Sequence, residues 1–199
     1  MITRKEMTRM LLKEGLLSCL ANNSFESVTV TSLCKASGIT RSTFYLHYSN
    51  IMEIVDDLVD DAIAYSKPGM VDNNNLQTIA NTLSAASNSV SLREAYDSIF
   101  DRLPLCQRII RHKKYLPLFL DEQISEYVLQ RIIGREKDRQ GLVIAESLGV
   151  SFDVGVSVFV FLVHGLYAVN KQYKWSQSDE WLEAQKIIFE LVYRGLQSR

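Results

Sequence analysis

Apolar residues recur along this chain at spacings of three and four rather than two, a pattern that predicts helices throughout. The first covers residues 4–22, where Met7, Met10, Leu11, Gly15, Leu17 and Leu20 fall near one face and Arg4, Lys5, Arg9 and Lys13 largely elsewhere. Asn22 and Asn23 stop it. Thr29 can then cap a short helix running through Ala36, its hydroxyl accepting from an otherwise unpaired first-turn N–H. Gly38 stands where a helix commonly ends on a residue of positive φ, which glycine adopts cheaply, and a second short helix covers Thr40–Tyr48. In that helix Ile39, Thr43 and Phe44 are expected to face the packing partner, leaving Thr40, Arg41, Ser42, Tyr45 and His47 outside.

A helix over Ile51–Tyr65 follows, with five carboxylates, no basic residue, and Ile54, Leu58, Ala62 and Tyr65 in one apolar row. The breaker-rich PGMVDNNN ends it and places a domain boundary, giving domains at 1–66 and 67–199. Beyond lie expected helices near 76–88, 91–103 with a Ser91-to-Glu94 capping box, 105–113 and 117–133. The charged GREKDRQG separates these from two long apolar helices at 142–173 and 179–197, the latter capped by Ser178. Val154–Val163 is β-branched enough to suit a buried strand, but no partner strand is evident, so helix is expected there too. The apolar stretch Val154–Val169 is shorter than the roughly 20 residues a membrane span needs, which points to a buried helix and no membrane association.

Composition narrows the classes. At 47% hydrophobic and 23% charged, the chain can bury a substantial core. Cys19, Cys34 and Cys106 are odd in number and far apart, suggesting neither a disulfide framework nor a zinc site. The charged N-terminus lacks the apolar run of a signal peptide, so a cytoplasmic location is expected. No Gly-rich phosphate loop, metal-ligand cluster or neighbouring nucleophile and base suggests an enzyme, a cofactor or a bound metal. Charge is uneven: residues 1–50 carry +3 and the remainder −4, so the positive end suits a polyanion.

The stretch TVTSLCKASGITRSTFYLHYSNIMEI, Thr29–Ile54, resembles the DNA-binding core of tetracycline-repressor-type regulators, matching at Leu33, Cys34, Ala36, Gly38, Ile39, Thr43, Tyr45, His47, Tyr48 and Ile54. That resemblance implies an all-α protein with an N-terminal three-helix helix-turn-helix domain and a C-terminal helical ligand-binding and dimerisation domain. It carries a DNA-binding role onto Thr29, Thr31, Thr40, Arg41, Ser42, Thr43, Tyr45, His47 and Tyr48. Arg41 can donate two bonds to guanine O6 and N7, or equally contact a phosphate. Tyr45 and His47 stand at positions that usually bind backbone phosphate and set register. Thr29 and Thr31 can offer a phosphate their hydroxyls and N–H groups, with simple capping the alternative for Thr29. Ile51 departs from the pattern, which commonly has lysine there.

By the same resemblance, HGLYAVNKQYKW and the helix after it imply a four-helix homodimer interface, and hence a pseudo-palindromic DNA operator. A small-molecule effector is implied in the C-terminal domain, with Phe100, Tyr115, Phe119, Tyr127, Phe152, His164 and Tyr167 as candidate lining or ordinary core. The basic run Arg108, Arg111, His112, Lys113 and Lys114 suits an anionic effector, a second nucleic-acid segment or a solvated helix end. The function expected is a sequence-specific DNA-binding regulator, a repressor released by its effector. The alternative is a helical coactivator or protein-interaction module on the same scaffold with weak DNA binding.

Overall fold

A capping box opens the first helix: Thr3 Oγ1 accepts from the Glu6 N–H at 3.2 Å while the Glu6 carboxylate accepts from the Thr3 N–H at 2.7 Å. The computed structural model describes residues 3–66, 75–103, 105–108 and 113–197. Its helices are α1 (Arg4–Asn22), α2 (Val30–Ser37), α3 (Arg41–Tyr45), α4 (Ile51–Ser66), α5 (Asn75–Ser84), α6 (Ser89–Ser98), α7 (Leu105–Arg108), α8 (Leu116–Leu120), α9 (Ser125–Leu148), α10 (Phe152–Gln172) and α11 (Asp179–Gln197). Single 3-10 turns lie at Phe25–Ser27 and Phe100–Arg102. No strand occurs among the described residues, so the chain is all-α, and Val154–Val163 lies within α10.

The chain divides into two compact units, one of Met1–Tyr65 with His112–Ile132, the other of Ser66–Arg111 with Ile133–Arg199. In the first, α1 packs on α2. A Cβ on Gly15 would sit 2.0 Å from Ser37 Oγ and 3.3 Å from Leu33 Cδ1, so glycine allows this close crossing. The crossing also selects the buried stripe: Leu12 and Leu16 join Leu17 and Leu20 inside, while Met7 and Leu11, expected on that face, are exposed. In α4 the buried set is Ile54, Val55, Leu58, Val59, Ala62 and Ile63, and Tyr65, expected in the row, is exposed.

The helix expected over 117–133 is interrupted after α8. Asp121, buried, turns the chain: its Oδ1 accepts from the Gln123 and Ile124 N–H groups at 2.9 and 3.1 Å, and its Oδ2 from the Phe25 N–H at 2.7 Å. Helix α9 then begins within the first unit, where Tyr127 donates to Asp56 at 2.6 Å and Arg131 pairs with the same carboxylate at 3.3 Å.

In the second unit, Asn88 rather than Ser91 caps α6, the two side chains closing a capping box. Of the helix expected over 105–113, only Leu105–Arg108 is described as helix, and residues 109–112, with Arg111 and His112, lie outside the described residues. So does most of the PGMVDNNN segment. The charged GREKDRQG stretch does not separate elements. It runs inside α9, where Arg139 pairs with Glu136 one turn away. The break falls later, at Gly149, whose φ of 63° ends α9 before Ser151 starts α10. Helices α9 and α10 meet at Gly141 and Gly155: a Cβ on Gly155 would lie 2.2 Å from the Gly141 carbonyl oxygen. Ser178 caps α11 as expected, accepting from the Trp181 N–H at 3.2 Å.

Helix α10 corrects two sequence expectations. It spans 21 residues and is long and apolar enough to cross a membrane, whereas the stretch considered in the sequence fell short. It is also not a buried helix, since 17% of its most apolar stretch is covered within the chain. Phe161 is 72% exposed on it and Leu191 of α11 is 67% exposed.

Candidate nucleic-acid interface

Two adjacent caps build the α2–turn–α3 unit. Thr29 Oγ1 accepts from the Ser32 N–H at 3.1 Å and Ser32 Oγ returns the bond to the Thr29 N–H at 2.9 Å, which starts α2. Gly38, at φ 66° and ψ 24°, ends α2 in the left-handed region, and the Ile39 N–H reaches back to the Cys34 carbonyl at 3.0 Å. Two residues later Thr40 Oγ1 accepts from the Thr43 N–H at 3.2 Å and starts α3. The same oxygen lies within 3.0 Å of the Ser42 and Thr43 hydroxyls, so the first turn of α3 carries a linked set of three hydroxyls.

Phe44 anchors α3. It is fully buried, meets Tyr45 edge-on at 5.1 Å between centroids and lies 6.3 Å from the Tyr48 ring. With that side fixed, Thr40, Arg41, Ser42 and Tyr45 are exposed, as is Thr31 on α2, and Thr43 is half-buried. Thr29 is exposed too, but its hydroxyl is engaged in capping. His47 is half-buried, and its Nδ1 is enclosed without a hydrogen-bond partner. Leu46 stands 81% exposed at the end of α3.

Tyr48 is placed differently from the other residues singled out in the sequence. It is 3% exposed, its hydroxyl donating to Asp57 Oδ2 at 2.6 Å and accepting from Arg9 Nε at 3.2 Å, while the Arg9 guanidinium sits 4.8 Å over its ring. Arg9 also reaches Asp57 through Nη2 at 2.5 Å, and Lys13 pairs with Asp61 at 2.5 Å one turn on. Tyr48 therefore ties the segment after α3 to α1 and α4 and has no free hydroxyl to present outward. Burial alone would raise the Asp57 carboxyl, but bonds from Tyr48 and Arg9 and the charges of Arg9 and Lys13 outweigh it and hold the group below its usual range. Burial and the bond to Asp57 push the Tyr48 phenol far above its ordinary value, so it stays protonated.

This network was missed in the sequence, where α4 was noted for five carboxylates and no basic residue, with no partner on another helix. The signal was present in matched spacing: Arg9 and Lys13 are four apart on α1, Asp57 and Asp61 four apart on α4. Its consequence is electrostatic. Two of the six basic residues in the first fifty are neutralised locally, and the exposed cations of that segment are Arg4, Lys5, Lys35 and Arg41.

The candidate effector residues do not form one set within either unit. Tyr115, Phe119 and Tyr127 belong to the first, where Tyr115 and Phe119 are core and Tyr127 is partly exposed. Burial raises the Tyr115 phenol, and the bond to Asp56 raises that of Tyr127. Phe100, Phe152, His164 and Tyr167 belong to the second. There Phe152 is exposed, Phe100 and His164 are half-buried, and Tyr167 is buried against Trp175 with centroids 5.4 Å apart.

Sequence reasoning also missed a buried polar belt in the second unit. Trp181 Nε1 donates to Asn170 Oδ1 at 3.0 Å, the Trp181 ring meets Tyr96 at 5.1 Å, and the Tyr96 hydroxyl donates to Gln107 Oε1 at 3.2 Å. Gln107, Asn170 and Gln185 are each 0% exposed. Gln107 Nε2 and both polar atoms of Gln185 lack a partner, each at a cost of about 1–3 kcal/mol. Residues at these positions gave no periodic signal, because a polar residue inside a helix pattern reads as surface.

Among the described residues no group of three or more His, Cys, Asp or Glu is placed to hold a metal ion. Compared with protein-family models, curated proteins and solved structures, the chain matches none.

Proposed function

We propose that this protein is a sequence-specific DNA-binding transcription regulator, acting as a repressor and as a homodimer on a pseudo-palindromic operator. The observation carrying the reading is the pair of caps around Gly38, which fixes α3 by Phe44 and leaves Arg41, Ser42 and Tyr45 on its open side. A short helix held this way suits the major groove, with Arg41 reading a base edge or bracing a phosphate and Tyr45 contacting the backbone. Tyr48, with Arg9 and Asp57, acts as a positioning group behind that helix.

The dimer reading is supported by α10. A helix this apolar and this uncovered calls for a partner surface, and Phe161 with the exposed Leu191 and Ile187 of α11 supplies apolar positions for a second copy. A second reading, a protein-interaction module, is favoured by Leu46, an apolar side chain 81% exposed at the tip of α3.

Selection of bound sequences from a random double-stranded library by the purified protein, then titration of the enriched site at two salt concentrations, separates them. An inverted repeat whose affinity falls with salt supports DNA regulation, since each neutralised phosphate adds about 0.9 to the log–log salt slope. A folded dimer that enriches nothing refutes it in favour of the protein partner.

A further inference from the structure

We propose that Leu46 sets sequence specificity on DNA: its side chain packs on the C5-methyl group of a thymine in the major groove and so selects a T·A pair at one position of each operator half-site. The inference deepens the DNA-binding reading above and rests on it.

Leu46 is held in place and turned outward. Its N–H donates to the Ser42 and Thr43 carbonyls at 3.3 and 3.2 Å, which keeps it on the last turn of α3. Phe44 and Tyr48, two residues to either side, are 0% and 3% exposed, and Leu46 between them is 81% exposed. Ser42 stands three residues before Tyr45 and four before Leu46, the spacings that make neighbours on a helix surface. All three are exposed. The open face of α3 therefore carries a hydroxyl, a phenol and an aliphatic group side by side, braced from behind by the buried Phe44.

The surroundings favour DNA over a protein partner as the group that covers Leu46. From Ser27 to Met52 the chain holds no carboxylate, and the Lys and Arg side chains of that stretch, Lys35 and Arg41, are both exposed. Such a surface attracts a polyanion. Among the base edges of the major groove, an aliphatic side chain meets one apolar group, the C5-methyl of thymine. The other edges present donors and acceptors, which Leu46 would desolvate without pairing. Arg41 and Ser42, earlier on the same helix, can supply the hydrogen bonds that neighbouring edges need.

The test takes the operator enriched from the random library and replaces its thymines one at a time by deoxyuridine, which keeps every hydrogen-bonding group and lacks only the methyl. Affinities of the full-length wild type and of Leu46→Ala are read by fluorescence anisotropy at one salt concentration. One replacement in each half-site should weaken wild type by about fourfold, the worth of one buried methyl group. The same replacement should leave Leu46→Ala unchanged, and the two proteins should bind random DNA alike. Leu46→Ser serves in its place should Leu46→Ala fail to fold. A wild-type scan in which no replacement weakens binding overturns the proposal, as does a thymine whose methyl counts equally for both proteins. Either result, on an enriched operator, leaves the DNA-binding reading standing. A folded protein that enriches no sequence refutes that reading and this one together, and assigns Leu46 to a protein partner.

Discussion

The α9–α10 crossing gives a sharp test of the packing that holds α10 in place. A methyl group on Gly155 would lie 2.2 Å from the Gly141 carbonyl oxygen and 2.9 Å from both the Ala145 nitrogen and Cβ. Two of these three atoms belong to the α9 backbone and cannot rotate away, so Gly155→Ala forces the helices apart. Overpacking of this kind costs about 1–3 kcal/mol, and the backbone contact puts it at or beyond the top of that range. Replacing glycine by alanine in a helix returns roughly 1 kcal/mol. A net loss of about 2 kcal/mol lowers the melting temperature of a chain this size by about 4–8 °C. Gly134, also in α9, has nothing within 4 Å of its would-be Cβ. Gly134→Ala keeps only the propensity gain and should raise the midpoint by about 2–4 °C. Thermal unfolding of the two variants beside wild type, followed by circular dichroism, reads the contrast. A Gly155→Ala protein melting at or above wild type would refute the close crossing.

The Asp57 carboxyl, held below its usual range, contributes stability above the unfolded value of about 3.9 and loses it as pH falls from there through the folded value. Urea midpoints against pH should therefore drop more steeply in acid for wild type than for Asp57→Asn, and parallel curves would count against the Arg9–Asp57–Tyr48 network. If the proposed dimer forms through α10, Phe161→Glu on its exposed side should shift the protein toward monomer in sedimentation velocity with its helical signal intact; a wild-type monomer, or a dimer unchanged by the substitution, would refute that interface. On an enriched operator, Arg41→Ala should weaken the specific site by about tenfold or more over random DNA, since a bidentate base contact is worth about 1–3 kcal/mol. Tyr45→Phe should weaken both alike, and equal losses for Arg41→Ala would make that residue a phosphate contact.

What the sequence determined about this protein is local. The helices of the first sixty-six residues, the caps at Thr29 and Ser178 and the left-handed Gly38 were legible because each depends on groups within four residues along the chain, whereas Thr40, read as the first residue of a helix to Tyr48, caps a shorter one over Arg41–Tyr45. Phe44 as the anchor of α3 followed from the same short-range pattern. Wherever one helix meets another, tertiary structure decided. Periodicity put Met7 and Leu11 inside, but the approach of α2 at Gly15 rotated the buried stripe to Leu12 and Leu16. It split α9 from α10 at GREKDRQG, although charged residues can run along the open side of a continuous helix, and the chain turns at Gly149 instead. Tyr48 read as a surface contact until the structure brought it to Arg9, thirty-nine residues away in the chain, and to Asp57. Gln107, Asn170 and Gln185 carried no signal in the sequence, because a helix pattern marks which residues are polar but not which neighbours enclose them, and burial is a property of those neighbours.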